Sequence, residues 1–322
     1  MRIKYIVITS FIFILVTFAV AYQTQNMFVV VIDGARYSET FGDNSSNLNH
    51  SLIPHIWNDL CPFGSMNTSF YNLGTTITNP GHASIESGTW QYIANDGTQR
   101  PYNPTFFEYY RQQRGVDSTL TWVFAGKSKL NICSYSTTTS GYNGSVYGAM
   151  AAATDITDDQ VLDVLTTTMN IYHPKLVLVN LADVDLAGHS GVWSSYTSAI
   201  FNADQIIYNL WNKITTDTYY RDSTNLIVTN DHSRHDDAHG GFQNHGDSCD
   251  GCQHIMFLAL GPDFKSNYSS TVSRSQIDIC PTIGWILGFT ANQAVGIAMA
   301  ELLNVIPVEQ LTSALPSNNT NF

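Results

Sequence analysis

The chain is short of charge, and of positive charge above all. Only 12% of its 322 residues are charged, with 14 Lys+Arg against 26 Asp+Glu and a formal net charge of −12. That balance excludes the basic face a nucleic-acid polymer requires. A small anionic substrate stays open, because bound divalent cations reverse the local sign. Internal repeats, charge blocks and any linker long enough to split the chain are missing. Neither His-Glu-x-x-His nor Gly-x-Ser-x-Gly occurs, which removes the usual signatures of zinc peptidases and serine esterases. Cys249-Asp-Gly-Cys252 has no second Cys-x-x-Cys to complete a zinc knuckle. The five cysteines (Cys61, Cys133, Cys249, Cys252, Cys280) therefore read as disulfide partners with one thiol left over, and Cys249–Cys252 as a small closed loop.

That reading assumes export, which the first residues suggest. Arg2 and Lys4 precede an apolar run over 5–18, and Ala19-Val20-Ala21 supplies a small-x-small cleavage site. This predicts a signal peptide over 1–21 and a single catalytic domain over 22–322. The location is then secreted, periplasmic or extracellular, with no stable membrane span after cleavage. Sequons at Asn44, Asn49, Asn67, Asn143, Asn267 and Asn318 would carry sugar in a glycosylating host.

Apolar runs alternate with helical spacing. Residues 28–32, 120–125, 175–180, 225–229 and 255–260 read as strands, and the polar, alternating stretch 65–73 as a strand nearer an edge. Helices are expected over 51–60, 104–114 (Pro104 in the first turn), 157–172, 192–214, 277–287 and 292–303. Alternation of this kind predicts an α/β fold with a mostly parallel sheet covered on both faces, and chemistry at the strand C-termini.

Four segments carry that chemistry. Asp33 closes the first strand and Asp231-His232 closes a later one. Carboxylate and imidazole side by side at a sheet rim are costly unless a metal or partner neutralises them. Asp185 and His189 sit in the loop after another strand, with Gly188 letting both side chains turn toward one ion, and Asp183 nearby as a loop cap. Among the later histidines His245, just before the final strand, is favoured as a ligand over His239, and His254 reads as structural. Thr78 leads through Pro80 into a small-residue helix. Its hydroxyl is an N-cap or, beside a metal, a nucleophile, and Thr75 and Thr76 are chemically possible substitutes.

The order Asp, Thr, Asp…His, Asp-His, His resembles the alkaline phosphatase superfamily, in particular its threonine-nucleophile branch of type I phosphodiesterases and nucleotide pyrophosphatases. Residues 28–38 (FVVVIDGARYS), 76–88 (TITNPGHASIESG), 180–191 (NLADVDLAGHSG) and 229–232 (TNDH) carry the resemblance. It implies a central mixed sheet sandwiched by helices. It also implies two divalent ions, most readily zinc given the mixed Asp/His ligation. One would be held by Asp33, Thr78, Asp231 and His232, the other by Asp185, His189 and His245. Thr78-Asn-Pro-Gly-His82 matches the family's x-Pro-x-His frame and selects Thr78 over Thr76.

The departures are informative too. The Cys/Ser-x-Pro-x-Arg motif of the superfamily's sulfatases does not occur. The Pro…His-Gly turn that precedes the diesterases' phosphoryl-binding Asn is replaced by GTWQYIAND over 88–96, which makes Asn95 the candidate donor and Asn103 the alternative. Lys127-Ser-Lys129 resembles the Lys-x-Arg pair of some monoesterases, the other reading being a solvated loop. The implied function is a secreted metal-dependent phosphohydrolase acting on a small phosphorylated substrate through a phosphothreonine. Phosphonate hydrolase, mutase, or a silent binding domain are the alternatives.

Overall fold

The computed structural model describes residues 24–42, 50–138, 140–142 and 144–304. The expected signal peptide and the sequons at Asn44, Asn49, Asn143 and Asn318 lie outside the described residues, which all fall in one unit, Tyr22–Asn304. Labelled in chain order, the main sheet runs β5 (Met150–Ala153), β4 (Thr121–Ala125), β6 (Leu176–Leu181), β1 (Asn26–Ile32), β7 (Thr224–Thr229), β8 (Phe257–Leu260), β2 (Gly64–Asn67) and β9 (Tyr268–Ser270). β3 (Phe70–Tyr71) and β10 (Arg274–Ser275) form a separate pair. Only β8 runs antiparallel to its neighbours, β7 and β2, so the sheet is mixed and mostly parallel.

β1 is buried along its whole length because it lies between β6 and β7 with helices on both faces. Met27, Val29 and Val31 meet Ala83 and Ile85 of α1 (Thr78–Ser87), Phe106 and Phe107 of α2 (Phe106–Arg114) and Ile283 of α7 (Ile279–Leu287). Phe28, Val30 and Ile32 point the other way, onto Leu165 of α3 (Asp158–Tyr172) and Tyr196, Ile200 and Ile207 of α5 (Trp193–Thr216). The period of two in the strand thus feeds two cores, each such side chain contributing about 1.5–3 kcal/mol of transfer free energy.

Local chemistry explains most boundaries, and tertiary contacts explain the differences from expectation. Thr105 caps α2 in a box with Glu108, leaving Pro104 just outside the helix rather than in its first turn. The stretch 51–60 becomes helical only at Pro54, where Asp204 of α5 accepts from the amides of His55 and Ile56 at 3.1 and 2.7 Å. The helix expected over 292–303 is replaced by turns and a short 3₁₀ segment, Ala300–Leu302. Its amides are drawn outward: Val295 and Gly296 donate to Gly88 O, Ile297 to Asp278 and Met299 to Thr282. The short strands β5 and β9 at the two sheet edges had no legible sequence pattern.

The expected disulfides are corrected: all five cysteines are free thiols. Cys133 and Cys280 serve as small apolar groups within one core, and Cys252 is also buried. Asn67 is corrected as a sugar acceptor, since it is fully buried with its amide donating to Val272 O. Asn267 is exposed.

Asp158, at the start of α3, accepts from the amides of Ala182 and Asp183 at the end of β6. Burial, reinforced by Asp183, pushes its carboxyl up to about 8 from an ordinary 3.8. A group whose folded pKa is raised stabilises fully below its unfolded value and loses that contribution as pH rises through the folded one. Stability is therefore expected to fall between about pH 4 and about 8 through this residue. Asp158→Asn, which keeps an acceptor oxygen, should flatten that slope in denaturant titrations run across the window.

Candidate active site

Because β6, β1 and β7 are adjacent and parallel, their C-terminal ends share one rim. β1 delivers Asp33 and β7 delivers Asp231-His232, all fully buried. After β6 the chain does not continue as a loop, as expected, but turns into a short helix, α4 (Asp183–His189). Asp185 and His189 are thereby i and i+4 on one face, with His189 Nε2 3.3 Å from Asp185 Oδ1. Gly188 serves a different end from the one expected: a Cβ there would lie 2.4 Å from the Arg234 guanidinium carbon, so its absence makes room for that side chain. From the opposite side α1 begins at Thr78, its first helical residue, with Ile77 in the cap position.

These groups converge. His245 Nε2 lies 3.3 Å from Asp185 Oδ1 and 3.1 Å from His189 Nε2. His232 Nε2 lies 3.4 Å from Asp33 Oδ1 and 3.5 Å from Asp231 Oδ2. Lys127, just past β4, reaches the centre: its ammonium is 2.8 Å from Asp33, 2.6 Å from Asp185 and 3.4 Å from Thr78 Oγ1. It is buried, hence no solvated loop residue. Lys129 Nζ donates to Asn95 Oδ1 at 3.1 Å, and the same oxygen accepts from the Asn79 amide at the start of α1. Thr78, Asn95, Lys127, Lys129, Asp185, His189 and His245 line one open cleft of about 380 Å³.

The electrostatics gather opposite charges at this rim. Burial works to raise Asp33, but Lys127 holds it well below the usual carboxylate range. Asp185 is held low in the same way against burial, by His189 and His245 and then Lys127. Burial opposes the charge on Lys127, and Asp33 and Asp185 more than offset it, raising its pKa. Burial, then His232, keeps His245 below its ordinary value, which favours the neutral imidazole that can act as a ligand. Three buried carboxylates (Asp33, Asp185, Asp231) face two buried cations, Lys127 and Arg234, and His232, where burial opposes the charged form but Asp231 and then Asp33 more than offset it and raise its pKa. Asp33 Oδ1, Asp231 Oδ2 and His232 Nε2 are buried without a hydrogen-bond partner among the described residues. His232 Nδ1 donates to Ser233 O, which leaves the lone pair of Nε2 aimed at the two carboxylates. Ligand atoms of Asp33, Asp231 and His232 lie within 4.8 Å of one another, as do those of Asp185, His232 and His245. This donor set fits divalent metal ions.

The alternatives lie elsewhere. His239 bonds Asp236 at the surface. Asn103 is committed to Gln91, Thr89 and Gln293. The Thr76 hydroxyl donates to Asp247 O, away from the cleft. Asp183 caps the Asp158 amide, and His254 stacks on Tyr37 and bonds Thr68 O.

Three positioning residues escaped the sequence reading. Arg234 is fully buried and donates to Asp185, Gly34 O, Phe242 O and Gln243 O. An arginine just beyond Asp-His, in a chain so poor in cations, was the available signal. His82 donates to Thr78 O, 2.9 Å away and one helical turn back, and packs beside Asp231. Asn180 donates to Asp33 Oδ2.

Comparison with known proteins bears on the family and the fold. Residues 137–290 match the model of the Metalloenzyme superfamily. A 2,3-bisphosphoglycerate-independent phosphoglycerate mutase of Legionella pneumophila (strain Lens) is 24% identical over 126 residues, 39% of this chain and 23% of the mutase. The chain thus matches less than a quarter of that relative's length. The phosphonate monoester hydrolase of Agrobacterium radiobacter superposes with a TM-score of 0.59 at 12% identity, over 87% of this chain and 77% of that one. Murine ectonucleotide pyrophosphatase/phosphodiesterase 5 gives a TM-score of 0.59 at 14% identity, over 87% of this chain and all (100%) of its own. Family model and fold agree with what the four sequence segments implied: residues 137–290 match the Metalloenzyme superfamily, and the mixed, mostly parallel sheet flanked by helices is the fold of these alkaline-phosphatase-like neighbours.

Proposed function

We propose that this protein is a secreted metal-dependent phosphohydrolase that cleaves a small phosphodiester or phosphomonoester through a covalent phosphothreonine at Thr78. One observation carries the reading: the Thr78 hydroxyl stands at the start of a ten-residue helix and shares the Lys127 ammonium with Asp33 and Asp185. In this reading Asp33, Thr78, Asp231 and His232 hold one zinc ion, and Asp185, His189 and His245 hold a second. Bound divalent ions would favour the alkoxide of Thr78 and neutralise charge on the phosphoryl oxygens.

The chain's own residues do the rest. Thr78 Oγ1 bonds to phosphorus as the bond to the leaving oxygen breaks, in line and on the opposite side. Asn95, whose Oδ1 is already occupied by Asn79 and Lys129, has its amide left to donate to a phosphoryl oxygen. Lys127 and Lys129 supply positive charge beside it. Water then attacks phosphorus, the bond to Thr78 breaks, and phosphate or phosphomonoester leaves. The α1 N-terminus favours the negative charge gathered there. Absence of the Cys/Ser-x-Pro-x-Arg motif supports phosphoryl over sulfuryl transfer.

The test pairs metal analysis of the full chain with rates on p-nitrophenyl phosphate, bis(p-nitrophenyl) phosphate and p-nitrophenyl phenylphosphonate. The expected outcome is bound zinc and fastest turnover of a phosphoester, abolished by chelation and restored by zinc. A fastest rate on the phosphonate would shift the reading to a phosphonate hydrolase. Metal-free protein inert on all three would sink the enzymatic account in favour of a binding domain.

A further inference from the structure

A second cluster of metal-ligating side chains lies outside the cleft residues. His235, Asp247, Cys249 and Cys252 each offer a ligand atom, and the four atoms lie within 4.8 Å of one another. His235 Nε2 is buried without a hydrogen-bond partner, and Asp247 Oδ2 is 3.2 Å from it. A tetrahedral ion with bonds of about 2.0–2.3 Å needs ligand atoms about 3.3–3.8 Å apart, and that nitrogen–oxygen edge falls only about 0.1 Å short of this range.

The backbone is shaped to bring the four together. Ser233 N donates to Cys252 O at 2.9 Å and His235 N to Asn244 O at 2.9 Å, which closes the loop at its base. Between the two cysteines, Gly251 lets the short helix α6 (Asp250–Gln253) lie directly on the 234–236 backbone. A Cβ there would fall 2.3 Å from Asp236 N. The Cys-x-Gly-Cys spacing therefore places both thiols against His235, and the pair missing from a zinc knuckle is supplied by a histidine and an aspartate of the same loop.

The loop has a need for such a clamp. None of residues 235–249 is fully buried, and their only regular structure is a 3₁₀ turn, Asp237–His239. Phe242 packs on Trp193 and Tyr196, and Arg234 holds the Phe242 and Gln243 carbonyls, but the segment around His245 to Cys249 has no comparable apolar anchor. Yet the loop must place His245, whose Nδ1 donates to Thr76 O, while the Thr76 hydroxyl donates to Asp247 O at 2.7 Å.

We propose that His235, Asp247, Cys249 and Cys252 form a structural divalent-cation site of the zinc type, which clamps the 233–252 loop and so sets the position of His245. The role in placing His245 rests on the catalytic reading above; occupancy of the site does not.

Cobalt separates the two, since the proposed catalytic ligands include no thiol and only cysteine gives a thiolate-to-cobalt charge-transfer band in the near ultraviolet. Reduced, metal-free full-length protein is titrated with cobalt. The expected result is such a band, abolished in the Cys249→Ser/Cys252→Ser double variant and unchanged in Asp33→Asn. Should the double variant not fold, His235→Ala leaves both thiols in place and should weaken the cobalt affinity read from the band by at least about 10-fold. No band in the wild type, a band that survives the double variant, or His235→Ala titrating like wild type would overturn the site. So would a Cys249–Cys252 disulfide in peptides from freshly purified, unreduced protein.

Discussion

Thr78→Ala is expected to lower kcat on the best phosphoester by about 10³-fold or more while leaving bound metal and thermal stability close to wild type. The two observables separate because Asp33, Asp231, His232, Asp185, His189 and His245 all remain, whereas the atom that forms the covalent bond is gone. Thr78→Ser should recover a substantial part of the rate, since a hydroxyl returns to the same helix start. Thr76→Ala, whose hydroxyl faces Asp247 O away from the cleft, should retain the phosphopeptide at Thr78, since no atom of that side chain forms the proposed covalent bond. Acid-quenched wild type incubated with substrate should yield a phosphopeptide containing Thr78, and the variant should not. Near-normal kcat in Thr78→Ala would remove the nucleophile assignment outright.

Arg234→Met should be the most destabilising single substitution near the site. The guanidinium is fully buried and serves four chain positions at once: Gly34 O, Phe242 O, Gln243 O and Asp185 through both its carbonyl and its carboxylate. Methionine fills much of the volume but leaves those acceptors without donors and Asp185 with one counter-charge fewer. Removing one partner of such a buried pair costs about 3–5 kcal/mol. The urea midpoint should fall accordingly with little change in slope, measured at matched metal content. Arg234→Lys should recover only part of the loss, because a single ammonium cannot span acceptors arranged around a planar fork. A midpoint within error of wild type would show that the network contributes little to folding.

How much of this was legible varies with the range of the forces involved. β1, β6, β7 and β8, and the helices α2, α3, α5 and α7, follow from local patterns: apolar runs, period-3.6 spacing and capping residues such as Thr105 and Thr157. Where a segment takes its hydrogen bonds from distant chain, the local pattern misled. The helical spacing of 292–303 lost to acceptors at Gly88, Asp278 and Thr282. The loop assigned to Asp185 and His189 became helical above β6. The cysteines were misjudged because pairing was argued from an expected export and the cysteine count, while burial and neighbours decide what a thiol meets.

By itself the sequence determined which residue types would stand at strand ends, because a carboxylate or imidazole closing an apolar run has nowhere to go but the sheet rim. It therefore pointed to Asp33, Asp185, His189, Asp231, His232 and His245 as candidate ligands, while the choice of Thr78 among three threonines came from the family resemblance. Only the tertiary structure decided how they are held: Lys127 between two aspartates, Arg234 behind Asp185, His82 behind Thr78, and His235 and Asp247 brought beside Cys249 and Cys252. These partners come from positions far apart in the chain, and the free energy of a buried charge depends on what surrounds it in space.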